Sequence, residues 1–122
     1  MTKRKLQSGD ILMIEFNPAK GTEMKKYRPA LVISNDQYQQ FFNTVIVVPI
    51  SSAEKYRAME KYRLSPLFVD LKPYLLAGDI VGTALLQHVR AIDPSVRSDL
   101  QPVGQINSRG LKMIQQVVQQ FF

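Results

Sequence analysis

Cysteine is absent from this chain of 122 residues, and histidine occurs only once. Without thiols the chain has no disulfide framework and no thiolate metal site, which suits a reducing cytosol. A single histidine and few clustered carboxylates also argue against a metal enzyme. We therefore expect neither a metal nor a cofactor.

Long apolar runs are missing as well. No run approaches the roughly 18 residues of a membrane-spanning helix, and the basic first ten residues lack the apolar segment of a signal peptide. The sequence shows no repeat, low-complexity tract or linker. We expect one domain over residues 1–122, with a flexible basic tail over residues 1–8, in a cytoplasmic protein without membrane contact.

Positive charge is in excess, since 16 lysines and arginines stand against 10 aspartates and glutamates, giving a net charge of +6. Half of the cationic residues fall in two presumed loops: Lys20, Lys25, Lys26 and Arg28 in the first, and Lys55, Arg57, Lys61 and Arg63 in the second. A solvated surface explains either cluster alone. Two such loops in one small domain favour a polyanionic partner, most simply nucleic acid.

The apolar patterns predict short strands separated by loops. We expect single strands over residues 11–16, 29–34, 44–50, 64–71 and 103–106. Two strands, or one bent at Gly82, are expected over residues 79–93. Short helical turns are expected within residues 37–43, 53–62 and 94–99, and a turn over residues 72–78.

A terminal helix is predicted after Asn107 or Ser108, either of which can cap it. Its apolar stripe has helical spacing and consists of Leu111, Ile114, Val118 and Phe121. The order of elements favours a mainly β protein, a small and strongly curved antiparallel sheet or barrel closed by the C-terminal helix.

Arg28 stands where a polar loop meets an apolar strand that begins at Pro29. Because proline lacks a backbone donor, we expect Pro29 at a strand start or an edge. A guanidinium anchored by a strand is a suitable phosphate ligand, since its planar fork matches phosphate oxygens. The alternative is a surface salt bridge of Arg28 with Glu23, Glu15 or Asp70.

Three blocks of the sequence, over residues 9–35, 45–52 and 82–93, resemble the MazF/PemK family of toxin endoribonucleases. The first has a Gly-Asp before a strand, then a loop of the form G-[ST]-E-x-x-x-x-R-P. The second is an apolar strand ending in Pro-x-[ST], and the third has the form L-x-Q-x-[VI]-[RK]-x-[IL]. The resemblance extends over essentially the whole chain from Gly9.

The resemblance implies an SH3-like barrel of the MazF/PemK/CcdB type, with a C-terminal helix and one or two short helices. It implies a homodimer that cleaves single-stranded RNA without metal and is held inactive by a cognate antitoxin protein. Arg28 matches the family's catalytic arginine, Ser51 occupies its catalytic Thr/Ser position, and Glu23 is a candidate general base. The candidate RNA-binding residues are Thr22, Met24, Lys25, Lys26, Phe16, Ser52, Gln87 and His88.

The chemistry suits these residue types. Attack of a ribose 2′-OH on the neighbouring phosphate gives a 2′,3′-cyclic phosphate and a 5′-hydroxyl, and negative charge builds on the phosphoryl oxygens. A fixed cation and a hydroxyl donor stabilise that charge. Unstacked bases of single-stranded RNA are accessible to side chains, and Phe16, Tyr27, Tyr56 and Tyr62 are candidates for stacking on them.

Two positions depart from the family pattern, because Met24 and His88 stand where glutamine is usual. Both are expected to affect the RNA sequence that is recognised. His88 is also a possible general base at neutral pH, although a lone histidine in a strand is more often structural. Ser51 has the simpler alternative of a turn residue, and Tyr56 and Tyr62 that of packing.

Three rival functions remain open from the sequence. The chain fits a non-catalytic nucleic-acid-binding SH3-like module, which needs the basic loops but no Arg28–Ser51 pair. It fits a toxin directed at a topoisomerase, as in the related CcdB-type poisons. It also fits a degenerate relative in which Met24 and His88 mark lost activity.

Overall fold

The computed structural model describes residues 6–16 and 27–122. Its strands are β1 Asp10–Glu15, β2 Tyr27–Val32, β3 Val45–Ser51, β4 Phe68–Asp70, β5 Leu75–Ala77, β6 Thr83–Leu85, β7 Arg90–Ile92 and β8 Gly104–Ile106. Its helices are α1 Asp36–Phe41, α2 Lys55–Ala58, α3 Glu60–Arg63, α4 Pro94–Arg97 and α5 Ser108–Gln119, with 3₁₀ turns at Lys72–Tyr74 and Leu86–His88.

The described strands form one antiparallel sheet in the order β4-β6-β3-β2-β1-β8-β5, with β7 also paired to β3. The strand β3 lies in the interior of the sheet, paired with β2 on one side and with β7 and β6 on the other. Along one edge β3 pairs first with β7, at Val45 to Val47, and then with β6, at Ile50 and Ser51. Ser51 is the last residue of β3 and lies in the part that pairs with β6. The predicted mainly β fold with a terminal helix is confirmed.

Alternation along the central strands separates two apolar clusters. Leu31, Val48 and Ile50 belong to the larger cluster, which α5 covers with Ile114 and Val118. The neighbouring strand positions form the smaller cluster, made of Leu6, Leu12, Ile14, Ala30, Val32, Val45, Val47 and Ile92. Because side chains alternate between the two faces of a strand, Arg28 and Ser51 continue the face of this smaller cluster, away from α5.

Pro29 is the third residue of β2, opposite Met13 of β1. Pairing of β2 with β3 begins only at the next residue, Ala30. The proline therefore lies next to the ladder between β2 and β3 rather than within it, as its missing donor requires.

The terminal helix begins as predicted, because the Asn107 side chain accepts a hydrogen bond from the Gly110 amide at 2.9 Å. Ile114 and Val118 are buried, and Leu111 packs at the edge of the same cluster. Phe121 was predicted in this stripe, but it lies beyond the helix end and is 40% exposed.

Several local predictions are corrected. Residues 72–78 are predicted to form a turn, but they include the strand β5. This strand pairs with β8, and Leu75 lies opposite Ile106. Residues 79–93 form two strands separated by a 3₁₀ turn, so His88 lies in that turn and not in a strand. Leu6 is buried and its carbonyl accepts a hydrogen bond from Gln39 Nε2 at 2.7 Å, so the chain is packed already within the expected tail.

Candidate active site

Arg28 and Ser51 lie near each other because β2 and β3 are antiparallel neighbours. The pairs Val32–Val47, Leu31–Val48 and Ala30–Pro49 set the register. Continuing that register by two residues places Arg28 opposite Ser51. Residues directly opposite on adjacent antiparallel strands have their side chains on the same face. The two predicted catalytic side chains thus arise from one strand pair.

Both residues line an open cleft of about 440 Å³. The described residues around it are Phe16, Arg28, Pro49, Ile50, Ser51, Tyr56, Leu85, His88 and Arg90. Two of these side chains are guanidinium groups, one is an imidazole, and none is a carboxylate. The described wall of the cleft therefore favours an anion.

Ser51 is held by its own turn. Its Oγ accepts a hydrogen bond from the Ala53 amide at 3.2 Å, and the residue is half-buried at the end of β3. A hydroxyl carries one donor and two acceptor lone pairs. With one lone pair used by Ala53, the Ser51 O–H can donate to an oxygen in the cleft.

Phe16 and Arg90, from the ends of β1 and β7, also line the cleft and contact each other. The Arg90 guanidinium carbon lies 5.5 Å from the centroid of the Phe16 ring, within the range of a cation–π contact. Phe16 also packs against the smaller apolar cluster, so the ring supports the cation.

Arg97 on α4 fixes the backbone beneath that ring. Its Nη1 donates hydrogen bonds to the carbonyls of Glu15, at 3.1 Å, and Phe16, at 3.3 Å. These contacts hold the end of β1, directly before residues 17–26. Arg97 is a positioning residue that the sequence analysis did not identify.

The second basic loop folds onto an aromatic cluster. Tyr56, Tyr62 and Phe68 have ring centroids 4.9–5.3 Å apart. Lys55 lies over the Tyr56 ring at 5.1 Å, and Lys61 over the Tyr62 ring at 4.9 Å. The packing alternative is thus favoured for Tyr62. Tyr56 packs in the cluster and also reaches the cleft.

The other predicted residues divide into three groups. Thr22, Glu23, Met24, Lys25 and Lys26 lie outside the described residues. Ser52 and Gln87 are exposed but do not line the cleft, whereas Phe16 and His88 do.

Arg90 is a residue lining the cleft that sequence reasoning missed. Its signal was present, because it is the [RK] of the third block and lies two residues after His88. What the sequence did not give is the pairing of Arg90 with Val47, which places β7 beside β3.

Two absences concern the described part of the chain only. Within residues 6–16 and 27–122, no three histidine, aspartate or glutamate side chains gather as metal ligands. Among the same residues, no helix is both long and apolar enough to cross a membrane.

Comparison with known proteins identifies the class that this curved sheet and cationic cleft represent. The model of PemK-like, MazF-like toxins of type II toxin–antitoxin systems matches residues 7–122, so the chain belongs to this family. The resemblance found in the three sequence blocks is confirmed.

Individual relatives refine that placement. The endoribonuclease toxin ChpB of Escherichia coli K12 is 31% identical over 96 residues, which cover 78% of this chain and 76% of ChpB. The endoribonuclease EndoA of Bacillus subtilis 168 is 32% identical over 95 residues, covering 77% and 76% of the two chains.

Solved structures show the same fold. A MazE-MazF crystal structure from Deinococcus radiodurans matches with a TM-score of 0.75 at 21% identity, over 98% of this chain and 96% of that chain. An endoribonuclease in complex with its cognate antitoxin, from Mycobacterial species, matches with a TM-score of 0.67 at 14% identity, over 95% and 93%.

Proposed function

We propose that this toxin is a sequence-specific endoribonuclease that cleaves single-stranded RNA, including mRNA, without a metal ion. The observation that carries the proposal is the cleft in which Arg28 and Ser51 lie together with a second arginine, Arg90. Family membership and relatives named endoribonucleases support the same activity.

The proposed reaction is an internal transesterification. The ribose 2′-OH loses its proton to a base and attacks the adjacent phosphorus, while the bond from phosphorus to the 5′ oxygen breaks. The leaving oxygen takes up a proton, so the products carry a 2′,3′-cyclic phosphate and a 5′-hydroxyl. Glu23, outside the described residues, is the candidate base.

Arg28 and Ser51 act on the phosphoryl oxygens in this scheme. The Arg28 guanidinium stabilises the charge that develops in the transition state and is a candidate donor to the leaving oxygen. The Ser51 hydroxyl donates a hydrogen bond to the scissile phosphate. Preorganised donors of this kind contribute because they need no reorientation as charge develops.

The first experiment incubates the protein with mixed-sequence single-stranded RNA in excess chelator. We expect cleavage to persist and the new 5′ ends to accept a label from polynucleotide kinase directly. Loss of cleavage on chelation defeats the metal-free mechanism. RNA binding without any cleavage favours the non-catalytic module, and trapping of a topoisomerase with RNA left intact favours the CcdB-like alternative.

Arg28→Ala tests the central assignment. We expect a loss of about a hundred- to a thousand-fold in rate, with an unchanged circular dichroism spectrum because Arg28 is exposed. Arg109→Gln is the matched control, since it removes one exposed positive charge on α5, away from the cleft. A folded Arg28→Ala variant that cuts RNA at the wild-type rate shows the assignment to be wrong.

We also propose that the toxin is cytoplasmic, that it forms a homodimer and that it binds a cognate antitoxin protein. Exposed phenylalanines support protein association: Phe41 is 81% exposed, Phe42 56% and Phe122 99%. Large apolar side chains grouped at a surface commonly mark contacts with other proteins.

A further inference from the structure

We propose that Arg90 holds an RNA phosphate next to the scissile one, supported by the ring of Phe16. The inference rests on the proposed ribonuclease function and adds a second anion subsite to the same cleft. Its basis is the placement of two guanidinium groups on opposite sides of β3, both lining one cavity.

The register places the backbones of the two arginines at different points along β3. Arg28 stands opposite Ser51 when the pairing of β2 with β3 is continued, and Arg90 stands opposite Val47. Val47 and Ser51 are four residues apart, which is about 13 Å of backbone at roughly 3.3 Å per residue. The two guanidinium groups thus reach one cleft from different strands, and each can bind its own phosphate of the RNA.

The contact with Phe16 preorganises the Arg90 guanidinium for binding a phosphate. Its guanidinium lies over a ring that is anchored in the smaller apolar cluster. Arg97 in turn holds the Phe16 carbonyl, so the ring has both its backbone and its side chain fixed. An arginine stacked on an aromatic face keeps its edge free for hydrogen bonds, and a phosphate accepts two of these at once.

The same contact changes the interpretation of Phe16. The sequence suggested a ring that stacks on a base, but Arg90 covers one face and the apolar cluster contacts the side chain. Phe16 therefore acts mainly as a support for the cation. At this end of the cleft the protein therefore recognises the negative charge of the RNA backbone and not the identity of a base.

A kinetic comparison separates this subsite from the catalytic pair. Arg90→Gln is expected to raise KM about ten-fold with little change in kcat, because a contact made equally in the ground state and transition state affects binding alone. Arg90→Lys keeps the charge but loses the paired geometry, so we expect partial recovery. Arg109→Gln, with the same loss of charge on α5, should match the wild type.

Direct binding gives a second readout that needs no turnover. RNA affinity is measured against salt concentration in the Arg28→Ala background, with and without Arg90→Gln. Each phosphate contact to a single strand contributes about 0.7 to the slope of log affinity against log salt, so Arg90→Gln should lower the slope by about that amount.

Substitution of single phosphates identifies the partner. Oligonucleotides that carry one neutral methylphosphonate linkage are tested at each position flanking the cleavage site. At one position, the neutral linkage should weaken RNA binding by the wild-type protein but should not weaken binding by the Arg90→Gln variant. The proposal is overturned if the folded Arg90→Gln variant has the wild-type KM and salt slope. It is also overturned if the variant loses as much affinity as the wild type at every neutral linkage tested. A fall in kcat alone also overturns it and reassigns Arg90 to the scissile phosphate.

The proposed function and this subsite fail in distinguishable ways. If the wild type leaves RNA uncut, the ribonuclease proposal fails, and the binding measurements still decide whether Arg90 contacts a phosphate. If the wild type cuts RNA and Arg90→Gln behaves like Arg109→Gln in every assay, only the subsite is wrong.

Discussion

A guanidinium and a hydroxyl on neighbouring strands form the smallest functional unit of this protein. Arg28 is exposed near the start of β2, while Ser51 is half-buried at the end of β3. Neither residue alone distinguishes a catalytic site from an ordinary surface. Their common cleft, without a described carboxylate around it, favours the catalytic interpretation.

Ser51→Ala tests the hydroxyl at this scale. We expect a loss of about a hundred- to a thousand-fold in cleavage rate, the usual effect of removing one donor from a developing oxyanion. Ser51→Thr keeps the hydroxyl and should retain most activity. The measurement is the single-turnover cleavage rate of one RNA, with Ser108→Ala on α5 as a control for loss of an exposed serine hydroxyl. Equal rates for Ser51→Ala and Ser51→Thr contradict a role for the hydroxyl.

Some strands and helices of this fold could be predicted from the sequence, and others could not. The apolar run of β3 and the helical spacing of α5 follow from local pattern, and the structure has both. The family resemblance identified Arg28 and Ser51 without any knowledge of register. The strand β5 was missed because its three residues carry no alternation, and it exists only through pairing with β8.

The turn at Leu86–His88 illustrates the same limit. Leu86 is buried, whereas Gln87 and His88 are exposed, and the three residues form a turn between β6 and β7. Arg90 then pairs with β3 rather than extending β6. Its place in the cleft follows from this long-range pairing, which a single sequence does not encode locally. The charged loop over residues 17–26, central to the sequence hypothesis, lies outside the described residues.

Gly82, directly before β6, lies close to the end of β3 that carries Ser51. A Cβ at this position would lie 2.7 Å from the Ser51 carbonyl oxygen and 2.6 Å from Cγ2 of Ile50. The backbone before β6 therefore passes close to the end of β3, and only glycine fits without displacement. Of the two arrangements predicted for residues 79–93, the structure has two strands, and they are separated by the 3₁₀ turn at Leu86–His88 and not by a bend at Gly82.

Gly82→Ala is expected to lower both stability and cleavage. Overpacking of a buried site typically costs about 1–3 kcal/mol, and relief of the clash requires movement of Ser51 or of β6. Urea unfolding and single-turnover cleavage measure the two effects. Val81→Ala is the control, since Val81 is the adjacent residue and is 57% exposed. A Gly82→Ala variant with the midpoint and rate of Val81→Ala contradicts the close contact.

At the scale of the whole molecule, the larger apolar cluster and the proposed catalytic side chains lie on different faces of the sheet. The larger cluster and α5 occupy one face, while Arg28, Ser51 and Arg90 continue the other. The net charge of +6 attracts a polyanion over a longer range than any single contact, and salt weakens that attraction. Substitutions on α5 therefore serve as controls for charge and fold without touching the cleft.

Self-association into a homodimer is a prediction about the whole molecule. We expect a dimer of about twice the 13.9 kDa of one chain, because exposed side chains such as Phe41 and Phe122 offer apolar area for a protein contact. Sedimentation equilibrium over a hundred-fold range of protein concentration measures the mass.

Thermal unfolding provides an independent check on association. A dimer that unfolds to single chains has a melting temperature that rises with protein concentration, since association stabilises only the folded state. A chain that stays single shows no such rise. A mass of 13.9 kDa at every concentration, together with a constant melting temperature, contradicts the homodimer and leaves the cleft of one chain to act alone.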